Sequence, residues 1–598
     1  MKQFLPVTKE EMLERGWSQP DFVYVNGDAY VDHPSFGAAI ITRVLEAHGF
    51  KVCMLAQPNW KSVDDFKRIG KPRLGFLVSS GNIDSMVNHY TVSKRHRKQD
   101  LYSNNGESGH RPDRAVIVYC QKIREAYKDA TIIIGGIEAS LRRLAHYDYW
   151  DDKVRQSILV DSSADLCMFG MGENSIIEIA EALDSGIEVQ YLTYLDGTVY
   201  RTKDISNIGE DYILLPSYEE IKNDKKAYAK SFYQQYLNTD HYASKILVEP
   251  YQGFYIVQNH PNRPLTQLEF DDTYALPYMR TYHPMYEYIP AIEEVKFSLI
   301  SNRGCFGACN FCALNFHQGR IIQTRSHESL IKEAKVLIQD PDFKGYIHDV
   351  GGPTANFRGP ACSGQLKRGV CTDKDCMFPK VCPAIAADHS DYLDILRSLR
   401  ELDGVKKVFI RSGIRYDYLL ADPECDRFIE ELCRHHVSGT LKVAPEHVSE
   451  RVLRYMHKAP KEVFMHFSKK YEETNRKLGL KQYLIPYLIS SHPGSTLEDA
   501  VELALFLKEY GFVPDQVQDF YPTPGTLSTC MYYTEMDPLT MEPVYVAKTA
   551  EEKKMQRALI HFHKNENRKT VEKALAKAGK QELIPLLSSQ RLHTKKGK

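Results

Sequence analysis

Apolar and polar residues alternate along the first 190 residues in a way that predicts strands followed by helices. Short apolar runs are typical of buried strands, and apolar residues three or four apart are typical of amphipathic helices. We predict strands near 50–55, 74–78, 131–134 and 165–169, and helices over 36–48, 114–127 and 176–183. Because strands and helices alternate, the pattern favours a doubly wound parallel sheet. Two strands end in glycines, Gly135-Gly136 and Gly170-Met171-Gly172, which indicate either tight turns or a ligand close to the backbone.

The pattern changes between residues 191 and 290. A hairpin is predicted over 191–200 because Asp196-Gly197 is a typical tight-turn pair, and a charged helix is predicted over 217–236. The stretch 259–290 is rich in Pro and Tyr and is predicted to be an extended connector.

Strand and helix patterns resume from about residue 291 to 525. A helix is predicted over 330–339, and strands are predicted over 293–300, 344–350, 408–413, 441–447, 483–491 and 516–520. Since polar residues and turn signals follow the strands, we expect a partial parallel β/α barrel whose carboxyl rim carries the functional groups. The segment 526–598 is predicted to be a small basic helical region, with helix over 548–577 and a disordered tail over 588–598.

Composition narrows the class of protein. A chain of 598 residues is too long for one core, and its formal net charge of -1 argues against a protein that mainly coats nucleic acid. The first residues lack a signal-like apolar stretch, and no run approaches the roughly 20 apolar residues that span a bilayer, so a cytoplasmic protein without a membrane partner is expected. Thirteen cysteines in such a chain indicate reduced thiols and metal ligands.

Three candidate metal ligands lie within eight residues in the stretch Cys305-Phe306-Gly307-Ala308-Cys309-Asn310-Phe311-Cys312. It follows the predicted strand 293–300, so its three thiols are expected on a loop at the carboxyl end of a strand. Thiolates are the usual ligands of iron–sulfur clusters, and a four-iron cluster held by three of them keeps one iron open. The alternative is zinc, because Cys309, Cys312 and His317 match three positions of a zinc knuckle. The fourth position is Ile322, however, and a structural zinc usually takes four protein ligands.

This spacing, with Phe311 directly before the last cysteine, resembles the signature of radical S-adenosylmethionine (SAM) enzymes. The regions 28–37 and 349–356 are similar to those of the YgiQ-like branch of that superfamily. The resemblance implies a [4Fe–4S] cluster on Cys305, Cys309 and Cys312, whose open iron binds SAM and whose electron cleaves it to a 5′-deoxyadenosyl radical. It also implies that Phe311 lies against the cofactor and that an external one-electron reductant, such as flavodoxin or ferredoxin, is a partner.

Further cofactor contacts are expected around the rim. By the resemblance, Gly351 and Gly352 occupy the glycine-rich turn that binds the SAM amino group, although Pro353 replaces the usual acidic residue. From their positions at strand ends, four more residues are candidates for the SAM ribose, the SAM carboxylate or the substrate, with ordinary rim salt bridges as the alternative: Arg411, Ser412, Lys442 and Glu446.

The amino-terminal region is similar to the cobalamin-binding-type domain that precedes the SAM domain in many related enzymes. Where a histidine ligates cobalt, the pattern is Asp, one residue, His, two residues, Gly. Here Asp32 directly precedes His33, and Gly37 follows after three residues, so the pattern is broken. We interpret His33 as a turn or core histidine, and cobalamin held without a histidine ligand stays open.

A second group of cysteines lies in an insert at 360–385. Cys362, Cys371, Cys376 and Cys382 are interleaved with charged residues and glycine, which is not typical of buried packing cysteines. Four thiolates satisfy either an auxiliary iron–sulfur cluster or a closed zinc site. Reduced surface thiols are the alternative.

The sequence therefore predicts a radical SAM enzyme whose substrate and reaction subtype are left open. Two alternatives belong to other classes. One is a zinc-stabilised RNA-binding protein that uses the basic carboxyl end as its contact surface, and the other is an iron–sulfur protein for electron transfer or sensing that binds no SAM.

Overall fold

The structure is a computed structural model that describes residues 3–209, 211–512, 514 and 517–588. The described chain divides into two units. Unit 1 comprises Met1–Gly304, Ala313–Lys344 and Gly364–Val370, and unit 2 comprises Cys305–Cys312, Gly345–Ser363 and Cys371–Lys598. The predicted insert at 360–385 therefore contributes to both units, and its four cysteines belong to unit 2.

Unit 1 contains sixteen strands and fourteen helices among the described residues. The strands are β1 (Phe22–Asn26), β2 (Val31–Asp32), β3 (Val52–Ala56), β4 (Gly75–Ser79), β5 (Ile132–Ile134), β6 (His146–Asp148), β7 (Lys153–Arg155), β8 (Leu166–Met168), β9 (Thr198–Thr202), β10 (Tyr212–Leu214), β11 (Ile246–Tyr251), β12 (Phe254–Gln258), β13 (Thr281–Tyr282), β14 (Ser298–Ile300), β15 (Asn302–Arg303) and β16 (Gln323–Thr324). The helices are α1 (Lys9–Glu14), α2 (Gly37–Ala47), α3 (Asp64–Lys67), α4 (Ser85–His89), α5 (Ala115–Ala126), α6 (Gly136–Leu141), α7 (Ile158–Ser162), α8 (Glu173–Asp184), α9 (Tyr218–Asn223), α10 (Lys225–Leu237), α11 (Gln267–Ala275), α12 (Leu314–Gln318), α13 (His327–Ile338) and α14 (Gln365–Arg368).

Nine of these strands form one sheet, in the order β10-β11-β12-β9-β8-β5-β4-β1-β3. Five adjacent strands of this sheet are parallel to one another: β3, β1, β4, β5 and β8. The next strand, β9, pairs antiparallel with β8. Because β9 to β12 lie between residues 198 and 258, the sheet continues past the boundary at 190 that the sequence pattern suggested. Shorter antiparallel pairs join β2 to β13, β6 to β7 and β15 to β16.

Helices cover both faces of the parallel strands. Successive side chains of a strand point to opposite faces, and in β1 Phe22 and Tyr24 belong to one core whereas Val23 and Val25 belong to the other. Helices α2 and α8 pack on the first face, and α5 and α7 pack on the second. The predicted doubly wound α/β fold is therefore confirmed.

Two predictions for the segment 191–290 are wrong. The hairpin over 191–200 does not form, because β9 pairs with β8 and β12 instead of with the residues before it. The supposed connector contains α11, whose first residue follows a capping box made by Thr266 and Glu269. That local signal outweighs the high proline content, because it satisfies exposed N–H groups at the start of the helix.

Other predicted elements are shorter or divided. Within 293–300 the extended part is β14, because the preceding residues form turns in which Lys296 N donates to Ile292 O at 2.8 Å. The helix over 217–236 divides at Asp224, which caps α10. Gln516, in the predicted strand 516–520, and residues 589–598 of the predicted tail lie outside the described residues.

Unit 2 contains parallel strands and the helices that follow them. Its strands are β17 (Tyr346–Ile347), β18 (Asp349–Gly351), β19 (Lys407–Val408), β20 (Thr440–Glu446), β21 (Tyr483–Ser490) and β22 (Val517–Asp519). Its helices are α15 (Ser390–Arg400), α16 (Tyr416–Leu420), α17 (Cys425–Glu431), α18 (Glu450–Met456), α19 (Lys461–Leu478), α20 (Leu497–Tyr510), α21 (Leu527–Thr534), α22 (Ala550–Ile560), α23 (Arg568–Lys577) and α24 (Ile584–Ser588). β17 pairs parallel to β19, and β20, β21 and β22 form a parallel sheet. The predicted parallel α/β character is therefore observed here as well.

The strand predicted over 408–413 is reduced to β19 by a side chain. The N–H groups of Arg411 and Ser412 donate to Asp349 Oδ1, at 2.7 and 3.1 Å, instead of to a strand ladder. The basic pattern over 548–577 forms two helices, α22 and α23, which pack with α20 around a core that includes Leu503, Leu507 and Leu559. None of the described helices combines the length and apolar character needed to cross a membrane.

Candidate functional site

The loop Cys305–Cys312 belongs to unit 2, and its three cysteines are half-buried. Ala308, in the middle of the loop, has a φ of +49°, a conformation that residues with a side chain rarely adopt. Cys305 Sγ lies 3.8 Å from the hydroxyl oxygen of Thr354. Burial raises the pKa of the Cys305 thiol, whereas the nearby guanidinium of Arg415 lowers it.

Hydrogen bonds fix this loop to two other segments of unit 2. Asn310 N donates to Met456 O at 3.1 Å, and Asn310 Nδ2 donates to Tyr455 O at 3.0 Å. Ser528 N donates to Asn310 O at 3.0 Å. The ring of Phe306 also stacks on Phe357, with centroids 3.7 Å apart. The thiols are therefore carried by a backbone held at several points.

Arg415 is a charged residue of unit 2 that contacts one of the thiols, and sequence reasoning missed it. Its Nη1 donates to Cys309 Sγ at 3.2 Å, and its Nε donates to Asp417 Oδ1 at 2.7 Å. Its Nη2 is buried without a hydrogen-bond partner among the described residues. A Cβ on Gly307 would lie 2.6 Å from Arg415 Nη1, so the glycine leaves the space that the guanidinium occupies. The position thus combines a sulfur contact with a spare donor.

A buried chain of polar groups holds Arg415 in place. Asn356 Oδ1 accepts from Arg415 N at 2.8 Å, and Asn356 Nδ2 donates to Arg415 O at 3.3 Å. His389 Nε2 lies 2.9 Å from Asn356 Nδ2, and His389 Nδ1 lies 2.7 Å from Asp422 Oδ2. Burial alone lowers the pKa of Arg415, but Asp417 and the thiols raise it well above its usual value, so the guanidinium stays charged.

Three of the predicted rim residues lie together. Arg411 and Ser412 bind Asp349 through their backbones, and Gly351 lies so close to Ser412 that a Cβ on Gly351 would collide with its hydroxyl. Burial raises the pKa of Asp349, and the N–H groups of Arg411 and Ser412 oppose that shift. Gly352 directly follows Gly351 and is half-buried, whereas the Arg411 side chain is exposed.

Lys442 and Glu446 lie on the same strand, β20, but in different surroundings. Lys442 is exposed, with its Nζ 5.9 Å from the ring centroid of Tyr487. Glu446 is buried, has a φ of +66° and follows a register shift in β20. Burial raises the pKa of its carboxyl group, while Lys458 and Arg415 lower it. Strained non-glycine backbone of this kind concentrates at functional sites, which distinguishes Glu446 from Lys442.

Phe311 contacts a buried histidine of unit 2. Its ring lies edge-on to His492, with centroids 6.1 Å apart, and His492 Nε2 lies 2.6 Å from Ser528 Oγ. Burial lowers the pKa of His492 to about 3, so this histidine is neutral at pH 7.

The second group of cysteines is less buried than the packing cysteines. Cys371 is exposed, and Cys362, Cys376 and Cys382 are half-buried. The segment between them packs through Phe378, whose ring stacks on His457 at 4.6 Å, and through Asp375, which lies 2.6 Å from His457 Nδ1. In the described part of the chain, neither this group nor the first forms a preassembled set of three metal-ligating side chains. None of the thirteen cysteines, all of which lie in the described ranges, forms a disulfide.

His33, in unit 1, is a buried turn residue. Its Nδ1 accepts a hydrogen bond from Ser35 N at 3.1 Å, and burial lowers the pKa of its imidazole to about 3. This geometry agrees with the interpretation of His33 as a turn or core histidine.

Comparisons with known families divide the chain into three segments. Residues 4–298 match a model described as Radical SAM N-terminal, residues 299–511 match the Radical SAM superfamily, and residues 515–590 match a domain of unknown function, DUF3362. The middle segment contains all three cysteines of the loop.

Curated relatives match almost the whole chain. A UPF0313 protein from Clostridium perfringens (strain SM101 / Type A) is 58% identical over 585 residues, which cover 97% of this chain and 88% of the relative. A UPF0313 protein from Clostridium botulinum (strain ATCC 19397 / Type A) is 58% identical over 584 residues, which cover 97% of this chain and 90% of the relative.

Solved structures overlap the chain more weakly. The radical SAM methyltransferase TsrM from Kitasatospora setae, with cobalamin and a [4Fe–4S] cluster bound, gives a TM-score of 0.47 at 13% identity over 86% of this chain and 79% of that chain. The cobalamin-dependent SAM radical enzyme OxsB, with aqua-cobalamin bound, gives 0.46 at 10% identity over 98% and 79%. Overlaps at this level assign neither a ligand nor a reaction to this chain.

Proposed function

Because the chain belongs to the UPF0313 family of the radical SAM superfamily and is a radical SAM enzyme, we propose that Cys305, Cys309 and Cys312 hold a [4Fe–4S] cluster and that SAM binds beside it. The observation that carries the proposal is the anchored loop, with its three half-buried thiols and the Arg415 guanidinium donating to Cys309. Thiolate ligands and N–H donors directed at their sulfurs suit an iron–sulfur cluster.

The chemistry that this site would supply, once both cofactors are bound, is one-electron reductive cleavage of SAM to a 5′-deoxyadenosyl radical. The residues of this chain bind and orient them. Asn310 fixes the cysteine loop through its three hydrogen bonds, and Arg415 offers Nη1 to Cys309 and the buried Nη2 to a bound group. Phe311 closes one side of the loop against His492, which helps to exclude water.

We assign the SAM contacts to residues of the rim. Gly351 and Gly352 present backbone to the amino group of SAM, with Asp349 and Ser412 fixing that turn. Glu446 faces the same charged neighbourhood as Arg415 and accepts hydrogen bonds from a bound cofactor or substrate. Arg411 and Lys442 are exposed, and we propose them as further contacts to SAM or the substrate.

Three further features that we expect of this enzyme remain predictions. They are an external one-electron reductant such as flavodoxin or ferredoxin, a cytoplasmic location, and a second metal on Cys362, Cys371, Cys376 and Cys382. Substrate and reaction subtype are open. The superfamily assignment does not favour a zinc-stabilised RNA-binding protein or an electron-transfer protein without SAM.

The test is anaerobic purification with iron, sulfide and zinc analysis, followed by dithionite reduction with SAM. We expect brown protein with at least about four irons per chain that releases 5′-deoxyadenosine. The triple variant Cys305→Ala, Cys309→Ala, Cys312→Ala should lose this product because the cluster has no ligands left.

The matched control replaces the four cysteines of the second group with serine. This variant should still release 5′-deoxyadenosine, and any metal that it loses belongs to the second group. A colourless, zinc-loaded natural protein that leaves SAM intact would refute the proposed function.

A further inference from the structure

Arg143 is a buried guanidinium of unit 1 without an acidic partner among the described residues. Arg143 is only 3% exposed to solvent. Nε donates to Gln258 Oε1 at 2.7 Å, and Nη1 donates to Ser140 O at 2.6 Å. A guanidinium carries five N–H groups, so the other three have no protein acceptor in the described ranges.

Five other buried arginines of unit 1 do not share this property. Each of the following is paired with at least one carboxylate: Arg43 with Asp32, Arg111 with Asp28 and Asp100, Arg142 with Asp84, Arg303 with Glu173, and Arg325 with Glu333. Buried charges are normally paired because an uncompensated one is expensive to desolvate. Arg143 therefore has the environment of a cation whose partner comes from outside the chain.

Aromatic rings stabilise this guanidinium only in part. Its Cζ lies 4.6 Å from the ring centroid of Phe169 and 4.2 Å from that of Phe316. Ring faces attract cations but do not neutralise them. Burial still lowers the pKa of Arg143 to about 9, which leaves it charged at pH 7.

Arg143 lines a cavity of about 700 Å³, measured with the space that opens to solvent. Arg263, Arg320 and His241 also line it. Two carboxylates in the wall have other partners. Glu173 pairs with Arg303, and Asp240 accepts from backbone N–H groups, including that of Val370 at 3.2 Å. Among the cationic groups of the wall, Arg263 pairs with Glu269 and His241 lies 3.3 Å from Asp196, so the contact that the wall offers an anion is the guanidinium of Arg143.

A second lobe of about 710 Å³ adjoins the first. The two lobes share Gly170, Met171, Glu173 and His317. The second lobe is lined mainly by apolar and glycine residues near the carboxyl ends of β4, β5 and β8 and on α2, among them Ile41, Ile134, Gly135, Gly136 and Met168.

The histidine at the junction of the two lobes, His317, is neutral at pH 7. His317 Nδ1 lies 3.0 Å from Ser140 Oγ, and burial lowers the pKa of this imidazole to about 4. His317 thus adds a polar contact without a charge. Arg143 is still a buried cation without an acidic partner among the described residues.

We propose that these two lobes bind an amphipathic anion, whose carboxylate or phosphate group pairs with the Arg143 guanidinium and whose apolar body fills the lobe lined by Ile41 and Met168. The proposal goes beyond the SAM chemistry and does not depend on the cluster, because every residue that carries it belongs to unit 1. It gives the glycine-ended strands of the amino-terminal sheet a ligand of defined chemical class.

The test uses the full-length protein and three probes with one apolar body: naphthalene-2-carboxylate, 2-naphthyl phosphate and naphthalene-2-carboxamide. Binding is measured by isothermal titration calorimetry. At least one of the anions should bind ten-fold or more tightly than the neutral amide, and the tighter anion identifies the headgroup. Arg143→Gln should abolish this preference, whereas Arg143→Lys should keep part of it because the charge is retained.

Two further variants separate the lobes and control for folding. Ile41→Trp, which fills the apolar lobe, should weaken all three probes at least ten-fold. Arg201→Gln removes an arginine that also lies over an aromatic ring, Phe254, but outside the cavity lining, and should change nothing. Equal binding of anions and amide to the natural protein, or an anion preference that survives in Arg143→Gln, would overturn the proposal.

Discussion

At the scale of single residues, the candidate site depends on an arginine that its local sequence does not mark. Arg415 follows Gly413 and Ile414 and is 106 residues from Cys309, whose sulfur it contacts. The cysteines are recognisable because their spacing is itself the ligand pattern. Arg415 becomes recognisable only when Asn356, His389 and Asp422 position it, because its role arises from contacts and not from a motif.

Replacing Arg415 should change the electronic properties of the cluster. Hydrogen bonds to cluster sulfurs raise the reduction potential, so Arg415→Gln should lower it by roughly tens of millivolts, where about 59 mV is a tenfold change for one electron. The measurement is a redox titration followed by electron paramagnetic resonance. Arg434→Gln, at an exposed arginine paired with Glu430, is the control. Identical potentials in Arg415→Gln and the natural protein would contradict the assigned role.

At the scale of elements, the sequence pattern identified long and strongly patterned segments well. The helices α2, α5 and α8 and the strands β3 to β5 fall where their patterns indicate, because both period and burial are local properties of those segments. The pattern failed where pairing is non-local. β9 pairs with β8 of the large sheet and does not form the predicted hairpin. The backbone N–H groups of Arg411 and Ser412 bind Asp349 instead of extending β19.

One strand of the large sheet also carries a pH-dependent group. Glu249, on β11, is fully buried and accepts hydrogen bonds from Ala145 N at 3.0 and 3.1 Å and from Tyr251 Oη at 2.8 Å. Burial raises the pKa of this carboxyl group from 4.5 to about 7, against the effect of those hydrogen bonds.

The raised pKa predicts that unit 1 loses stability as pH increases. The folded chain binds more protons than the unfolded chain between pH 4.5 and 7, so the contribution of Glu249 is fully present below 4.5 and is lost as pH rises through 7. The loss amounts to about 3 kcal/mol. Urea unfolding at several pH values should show this slope in the natural protein and a flatter one in Glu249→Gln. Parallel profiles for the two proteins would rule out Glu249 as the source.

At the scale of the whole molecule, the carboxyl-terminal region is part of a core and not an appendage. Its pattern suggested a small basic helical region, and α22 and α23 pack with α20 of unit 2. Leu559 is 0% exposed in this core, whereas Leu586, in the same region, is 44% exposed.

This packing predicts unequal costs for two similar substitutions. Leu559→Ala should destabilise unit 2 by about 2–5 kcal/mol, because it removes buried methyl groups and leaves a cavity. Leu586→Ala should cost less than about 0.5 kcal/mol, as is usual for exposed positions. Denaturant unfolding of both full-length variants measures the difference. Equal midpoints would mean that the carboxyl-terminal helices do not share the core of unit 2.

The sequence by itself determined the α/β class, the glycine-ended strands and the thiols of Cys305, Cys309 and Cys312, because each of these is a pattern within a short stretch of chain. Tertiary structure alone decided which charged and polar groups contact those segments. It brought Arg415 to Cys309 and Ser412 to Gly351, and it buried Arg143 beside Phe169 and Phe316 without a carboxylate partner in the part of the chain that the structure describes. The physical reason is that electrostatic and hydrogen-bond partners are selected by proximity in space, and folding sets that proximity between residues far apart in sequence.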